Sequence, residues 1–222
     1  MKKILTALFI CLPLMGTAQN TWEIPQEETQ QQQTQHKSTA PFDKKKQNED
    51  SKYLAGAVPE IDGKVVFTLS KDVPGMTAGE IYQKVYDLLT AMSKEENQFP
   101  QSKIAVVNKT EYTIAARMKE WLVFQNTFLS LDRTVFNYTI IAKASDGHLD
   151  LTLERLSYQY EMNRTDTHGG LNVKAEEWIT DKEGLNKKKT KLVKYSGKFR
   201  RKTIDRKDNI FDRVCKVLGV TY

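Results

Sequence analysis

The chain of 222 residues carries 34 Lys and Arg against 28 Asp and Glu, a formal net charge of +6, and two cysteines. Only Cys215 lies beyond the N-terminal segment, which excludes a disulfide framework and requires the protein to fold on its hydrophobic core alone. No stretch after the first eighteen residues approaches the length of a membrane span, which excludes a helical membrane-spanning protein.

The first eighteen residues have the pattern of a secretory signal peptide. Two lysines precede an apolar run from Ile4 to Met15, and the small residues Gly16 and Ala18 come shortly before Gln19. Signal peptidase accepts small residues at these positions. The sequence therefore predicts a signal peptide over residues 1–18 and export to the periplasm, the cell surface or the medium. Export excludes cytosolic functions such as transcription factor or nucleotide-dependent enzyme.

Residues 19–62 have the composition of a tether. Glutamines cluster between Gln30 and Gln35, charges are mixed between Lys44 and Asp50, and the few apolar residues follow no period. Such a segment cannot bury enough apolar surface to form a core, so we predict that it is disordered. It serves either as a spacer or as a tolerated terminal tail.

The first ordered elements are predicted after Gly63. Residues 64–69 are apolar and β-rich, and Pro74-Gly75 turns the chain. Thr77 with Glu80 three residues later forms a capping box, which marks the start of a helix. The apolar residues that follow lie on one helical stripe: Ile81, Val85, Leu88, Leu89 and Met92.

Four strands are predicted after this helix. Asp146-Gly147 is the strongest hairpin signal in the chain, because both positions of such a turn need positive φ. The apolar phase slips after Leu153, which indicates a β-bulge near Glu154 or Arg155. The four segments are 103–107, 110–128 with a bend near Met118, 134–143 and 148–160.

The C-terminal part combines a loop, a basic segment and a helix. Residues 175–180 are predicted to form a short helix and residues 184–194 a mobile basic linker. An apolar stripe from Thr203 to Leu218, followed by Gly219 at the C-cap, predicts the last helix. The element order is thus β-α-β-β-β-β-α, an α+β fold in one domain over residues 63–222 with a basic insertion at about 184–202.

Part of this pattern resembles a known family. The resemblance rests on the turn that opens the first helix and on the segments around it: Gly63-Lys64-Val65-Val66-Phe67, Asp72-Val73-Pro74-Gly75-Met76-Thr77 and Glu80-Ile81-Tyr82. These segments are similar to those of an exported Bacteroidetes family, a domain of unknown function with a TATA-binding-protein-like (TBP-like) fold. The resemblance covers about residues 60 to 160. It implies an antiparallel sheet with two helices packed on one face, and it brings no catalytic residue and no ligand.

The residues that usually carry catalysis or bind metals are few. None of the three histidines has zinc-ligand spacing to a partner, and Cys215 lies between apolar positions, as an inert buried cysteine does. Asp146 and His148 could form an acid/base pair, although turn chemistry already explains an Asp before Gly. We therefore predict no catalytic residue, no metal and no cofactor.

The basic segment is the strongest functional signal. The segment from Gly184 to Lys207 contains eleven basic residues and one acid, a local net charge of +10, whereas residues 19–183 have a net charge of −6. Tyr195 and Phe199 lie among these charges. Such a segment could bind phosphate, anionic lipid or acidic glycan, or it could serve solubility alone. The candidate polyanion-binding residues are Lys187, Lys188, Lys189, Arg200, Arg201 and Lys202.

The sequence does not determine one function. We expect a non-enzymatic periplasmic or cell-surface module that binds an envelope protein or an anionic ligand. The alternatives are an envelope hydrolase or isomerase with a carboxylate site, or a structural component of the envelope. Export argues against nucleic acid as a partner. The exposed face of the sheet separates these classes, because a pocket with convergent carboxylates favours an enzyme and a flat polar or aromatic surface favours binding.

Overall fold

The computed structural model describes residues 50–162 and 170–222. The predicted signal peptide, the tether up to residue 49 and all but Gly170 of the loop predicted at 164–170 lie outside the described residues. No helix in the described ranges is long and apolar enough to cross a membrane.

The centre of the fold is an antiparallel sheet in the order β3-β7-β6-β5-β4, and β8 pairs with the second half of β7. Strand bounds are β1 Glu60–Ile61, β2 Lys64–Val65, β3 Phe67–Asp72, β4 Lys103–Asn108, β5 Thr113–Thr127, β6 Ser130–Ser145, β7 His148–Tyr160 and β8 Leu171–Lys174. β1 and β2 form a separate two-stranded hairpin. The four strands predicted after the first helix are all present, and β8 was not predicted.

Two helices cover one face of the sheet, α1 over Ala78–Met92 and α2 over Gly197–Leu218. Side chains alternate along the strands, so that Ile140, Ala142 and Ala144 of β6 are buried between the sheet and the helices. This arrangement confirms the predicted α+β class, an antiparallel sheet with two helices on one face. The apolar stripes of the helices drive the packing, because each must be removed from water.

The predicted capping box of α1 is confirmed. The Glu80 backbone N–H donates to the Thr77 hydroxyl, and the Thr77 backbone N–H donates to the Glu80 carboxylate at 2.8 Å. Four of the five predicted stripe residues are buried. Leu88 is only partly buried, because it lies at the margin of the stripe and not at its centre.

The turn between β6 and β7 is held against the start of α1. Ser145 pairs with His148 across Asp146-Gly147, as predicted, but only Gly147 has positive φ (71°). The Asp146 carboxylate instead accepts a hydrogen bond from the Ala78 N–H at 2.8 Å. It thereby satisfies a free donor at the positive end of the helix.

The predicted bulge in β7 is confirmed at Arg155. Thr139 pairs with Glu154 and Asn137 with Ser157, so two residues of β7 lie opposite one of β6. Arg155 has φ 57°. The bulge turns β7, and beyond it β7 pairs with β8 and no longer with β3.

Two predicted boundaries are wrong. Residues 50–62, assigned to the tether, pack on the domain, where Tyr53 and Val58 are buried among the core residues. Residues 184–202, assigned to a linker and insertion, contain a β-bridge between Leu185 and Leu192 and the first turns of α2. In both segments a few apolar side chains supply the packing, and a composition dominated by charge conceals them.

Candidate functional site

The predicted polyanion site is divided by the structure. Arg200 is fully buried, and its guanidinium donates to the carbonyl oxygens of Tyr53, Leu54 and Ile179 and to the Asp181 carboxylate at 2.6 to 2.7 Å. Burial lowers the pKa of Arg200, and Asp181 opposes that change. Arg200 therefore holds residues 53–54 against α2 and is unavailable to a ligand.

The other predicted residues do not converge either. Arg201 pairs with Asp50 at 2.5 Å and lies over the Tyr53 ring, and Lys202 is half-buried one residue further along α2. Of the six predicted residues, only the three loop lysines have exposed side chains: Lys187, Lys188 and Lys189. They form a loop patch, separate from the arginines.

A cleft lined by aromatic side chains lies where α2 begins. Its volume is about 590 Å³, and we call it the aromatic cleft: Tyr160, Leu171, Trp178, Lys194, Tyr195, Lys198 and Phe199. Phe199 is at its base, with ring centroids of Phe124, Tyr160 and Trp178 at 4.6, 5.4 and 5.9 Å. These edge-to-face contacts fix the rings before any ligand arrives.

Lys198 is held inside this group of rings. Its ammonium lies 2.7 Å from an Asp132 oxygen and 2.9 Å from the Tyr160 hydroxyl, and 4.4 Å from the centre of the Tyr160 ring. Burial alone would lower the pKa of Lys198, but the hydrogen bonds to Asp132 and Tyr160 outweigh it, so the pKa is raised. The cleft thus contains a permanent cation whose charge is already paired.

Three further polar groups belong to residues that line the cleft. The buried Trp178 Nε1–H has no hydrogen-bond partner within residues 50–162 and 170–222. Lys194 is exposed, and Tyr195 is 60% exposed with its ring 5.4 Å from that of Trp178. A buried donor without a partner costs free energy, so an acceptor that reached it would gain affinity. The sequence showed the aromatics Tyr195 and Phe199 among the lysines, but not that Trp178 and Tyr160 join them.

The open face of the sheet contains a second polar group at the β3–β7 edge. His148 Nδ1 lies 2.7 Å from an Asp72 oxygen, and Nε2 lies 3.0 Å from the Ser70 hydroxyl and 3.3 Å from Asp150. Hydrogen bonds to Asp72 and then to Asp150 raise the pKa of His148. Ser70 donates its proton to Asp150 at 2.7 Å.

This group is a poor catalyst despite its composition. The Ser70 hydroxyl donates to the Asp150 carboxylate, and a serine that donates to a carboxylate is not activated as a nucleophile. The two carboxylates also favour the protonated form of the imidazole, which makes it a weaker base. The possible pair of Asp146 with His148 does not form: Asp146 caps α1, as turn chemistry favoured, and His148 contacts Asp72 and Asp150 instead. No cluster of three or more His, Cys, Asp or Glu residues suited to a metal occurs in the described part of the chain.

A buried carboxylate also lies in the core and is fully paired. Glu120 accepts two hydrogen bonds from Arg206, at 2.7 and 2.8 Å, and further ones from Asn97 and Gln98. Both charged side chains are about 1% exposed. The pair ties β5 to α2 within the core.

Comparisons with known proteins define the class of this fold. A TBP-like protein from Parabacteroides distasonis is similar in structure over 74% of this chain and 99% of its own, with a TM-score of 0.58 and 20% identity. A protein from Bacteroides ovatus is similar over 77% of this chain and 95% of its own, with a TM-score of 0.70 and 42% identity. The fold is therefore TBP-like.

The family follows from the second structure and from a family model. The Bacteroides ovatus structure is described as a DUF4468 family protein, and residues 67–159 match the model of the domain of unknown function DUF4468 with TBP-like fold. This chain belongs to the DUF4468 family. No curated protein matches it.

Proposed function

We propose that this protein is an exported, non-enzymatic binding module whose ligand site is the aromatic cleft. Export is supported by the lysines before the apolar run, by the run itself from Ile4 to Met15 and by the small residues before Gln19. The periplasm or the cell surface is the expected compartment.

The observation that carries the binding site is the preformed ring cluster with the exposed Lys194 and Tyr195 at its edge; the Trp178 N–H beside it is buried and has no partner in the described residues. Four aromatic side chains offer flat apolar surface, and Lys194 and Tyr195 offer a cation and a hydroxyl at the edge. Binding sites commonly combine apolar walls with a few polar groups that orient the ligand. The ligand class that fits is a small molecule with a flat apolar face and a carboxylate, such as an acidic saccharide.

The absence of an activated nucleophile in the described residues supports binding over catalysis. The Ser70 hydroxyl donates to Asp150 instead of to His148, and Glu120 is paired with Arg206. The loop patch of Lys187, Lys188 and Lys189 stays a second candidate for anions, because it is exposed. It lacks the apolar walls of the cleft.

Isothermal titration with oligogalacturonate and with a neutral oligosaccharide of equal length tests this function. We expect heat from the acidic ligand and about a tenfold loss of affinity in Lys194→Gln, because a charge-assisted hydrogen bond is removed. Trp178→Phe keeps the ring and removes the N–H, so it should weaken binding in the same direction.

Lys187→Gln is the matched control, since it removes the same charge from the loop patch. Binding that falls equally in the Lys187 and Lys194 variants would show a diffuse charge effect and contradict a site in the cleft. If neither ligand produces heat, the proposed ligand class is wrong.

A further inference from the structure

The β5–β6 hairpin extends beyond the rest of the sheet. β7 ends at Tyr160, opposite Thr134, and on the other edge β4 pairs only as far as Arg117. Residues 123–133, which we call the ribbon, therefore have no third strand within residues 50–162 and 170–222. From Thr134 to Leu129 the ribbon projects about 16 Å, at roughly 3.3 Å per residue.

Contacts at its base hold the ribbon in place. A bulge between Val123 and Gln125 displaces Phe124 from the pairing, and its ring packs on Phe199 at 4.6 Å. Asp132 accepts hydrogen bonds from Lys198 and Tyr160. A two-stranded hairpin is marginally stable alone, so these contacts position the ribbon, and none of them reaches its tip.

The tip carries large apolar side chains without a structural reason. Thr127 pairs with Ser130, so Phe128 and Leu129 form the two-residue turn. Gly, Asn and Asp are the residues that such turns favour, and neither Phe128 nor Leu129 has positive φ. Phe128 is 101% exposed, Leu129 90% and Leu131 54%. Neither turn formation nor core packing accounts for these residues.

The surroundings of the tip are neutral or basic. Gln125, Asn126 and Thr127 are uncharged, and Asp132, the acid of the ribbon, is paired with Lys198. Arg133 lies exposed on the ribbon, its guanidinium 3.7 Å from the centre of the Trp121 ring. No unpaired carboxylate of the ribbon itself opposes the approach of an anionic surface.

We infer that the tip of the ribbon, Phe128 and Leu129 with Leu131, inserts into the surface of an anionic lipid bilayer. A convex apolar tip on a ribbon that carries an exposed arginine and no unpaired carboxylate suits a soft interface that attracts cations. A folded protein partner would need a matching pocket and a contact area near 1,000 Å² or more, and two neighbouring side chains on a thin ribbon supply little of that. This inference does not depend on the ligand of the aromatic cleft.

Vesicle flotation tests the inference with the protein purified in its processed form. The vesicles are phosphatidylcholine alone and phosphatidylcholine mixed with phosphatidylglycerol. Wild type should float with the anionic vesicles, and less so at high salt. The double variant Phe128→Ser, Leu129→Ser should lose about tenfold or more of this binding, because the apolar insertion is removed. All variants share one N terminus, so any contribution from it is common to them.

The matched control is Ile61→Ser, Val106→Ser, which removes two exposed apolar side chains elsewhere on the domain, 50% and 66% exposed. It should bind like wild type. Equal binding by both double variants, or no binding of wild type to either vesicle, overturns the inference. In the latter case a protein partner would be the remaining reason for the exposed tip.

A second measurement separates insertion from surface adsorption. Phe128→Trp keeps the tip apolar, and its fluorescence should shift to shorter wavelength when anionic vesicles are added, as an indole does in an apolar medium. Val106→Trp should show no shift. Equal shifts in the two variants, or none in Phe128→Trp, would show that the tip does not enter the bilayer.

Discussion

Two hairpin turns of the same length in this sheet differ in residue type and in the contacts they make. Asp146-Gly147 joins β6 to β7 with residues that suit a tight turn, and the Asp146 carboxylate caps α1. Phe128-Leu129 joins β5 to β6 with two large apolar residues that are almost fully exposed. The first turn is explained by folding. The second breaks the same rules and gains no contact in the described structure, which indicates selection for something outside the fold.

The largest expected difference in stability is between two leucines, one buried on α1, the helix that the first turn caps, and one exposed in the second turn. Leu89 on α1 is 0% exposed and Leu129 is 90% exposed. Leu89→Ala should lower the free energy of unfolding by about 2–5 kcal/mol through lost burial and a cavity, and Leu129→Ala by less than about 0.5 kcal/mol. Chemical denaturation of both variants measures this. Similar losses would show that the tip of the ribbon is packed.

A smaller difference is expected between the turn residues themselves. Asp146→Ala removes the acceptor for the Ala78 N–H and should cost about 0.5–2 kcal/mol, as loss of a helix cap does. Phe128→Ala should leave stability nearly unchanged. Asp146→Asn, which keeps an acceptor oxygen, is the control and should recover most of the loss. If Asp146→Ala is as stable as wild type, the turn does not cap α1.

The smallest expected effect is a pH dependence of stability caused by His148, which follows the first turn. Asp72 and Asp150 raise the pKa of His148 above its usual 6.5, with the Ser70 hydroxyl at its Nε2 and Lys143 opposite Asp150 on β6. A raised pKa in the folded state means that the contribution of His148 to stability is full below about pH 6.5 and falls as pH rises through the folded pKa.

Melting temperatures of wild type and His148→Gln at about pH 5.5 and about pH 8.5 measure this dependence. Wild type should exceed the variant by more at the lower pH. Phe128→Gln, at the other turn, should show no pH-dependent difference. A gap between wild type and His148→Gln that widens with rising pH would show that the carboxylates do not hold the imidazole protonated.

Local patterns predicted the sheet and the first helix well. The capping box at Thr77, the turn at Gly147 and the bulge at Arg155 are each visible in a few neighbouring residues, because hydrogen bonds within a turn or a cap depend on adjacent residues. The segments around 50–62 and 184–202 were assigned wrongly. Their packing depends on single residues such as Tyr53 and Arg200, which meet across 147 positions of the chain.

The candidate sites show the same limit. The density of basic residues predicted a site at Arg200 and Arg201, but in the fold these arginines bind residues 50–54. It did not reveal the aromatic cleft, where Tyr160, Trp178 and Tyr195 lie together. The sequence by itself determined the α+β class and the order of strands along the chain, because periodicity and turn chemistry are local. The TBP-like fold came from the resemblance of residues 60–160 to a known family. Only the tertiary structure decided which cations are buried, which rings share a cleft and which apolar side chains stay exposed, because burial depends on the elements that pack against a residue.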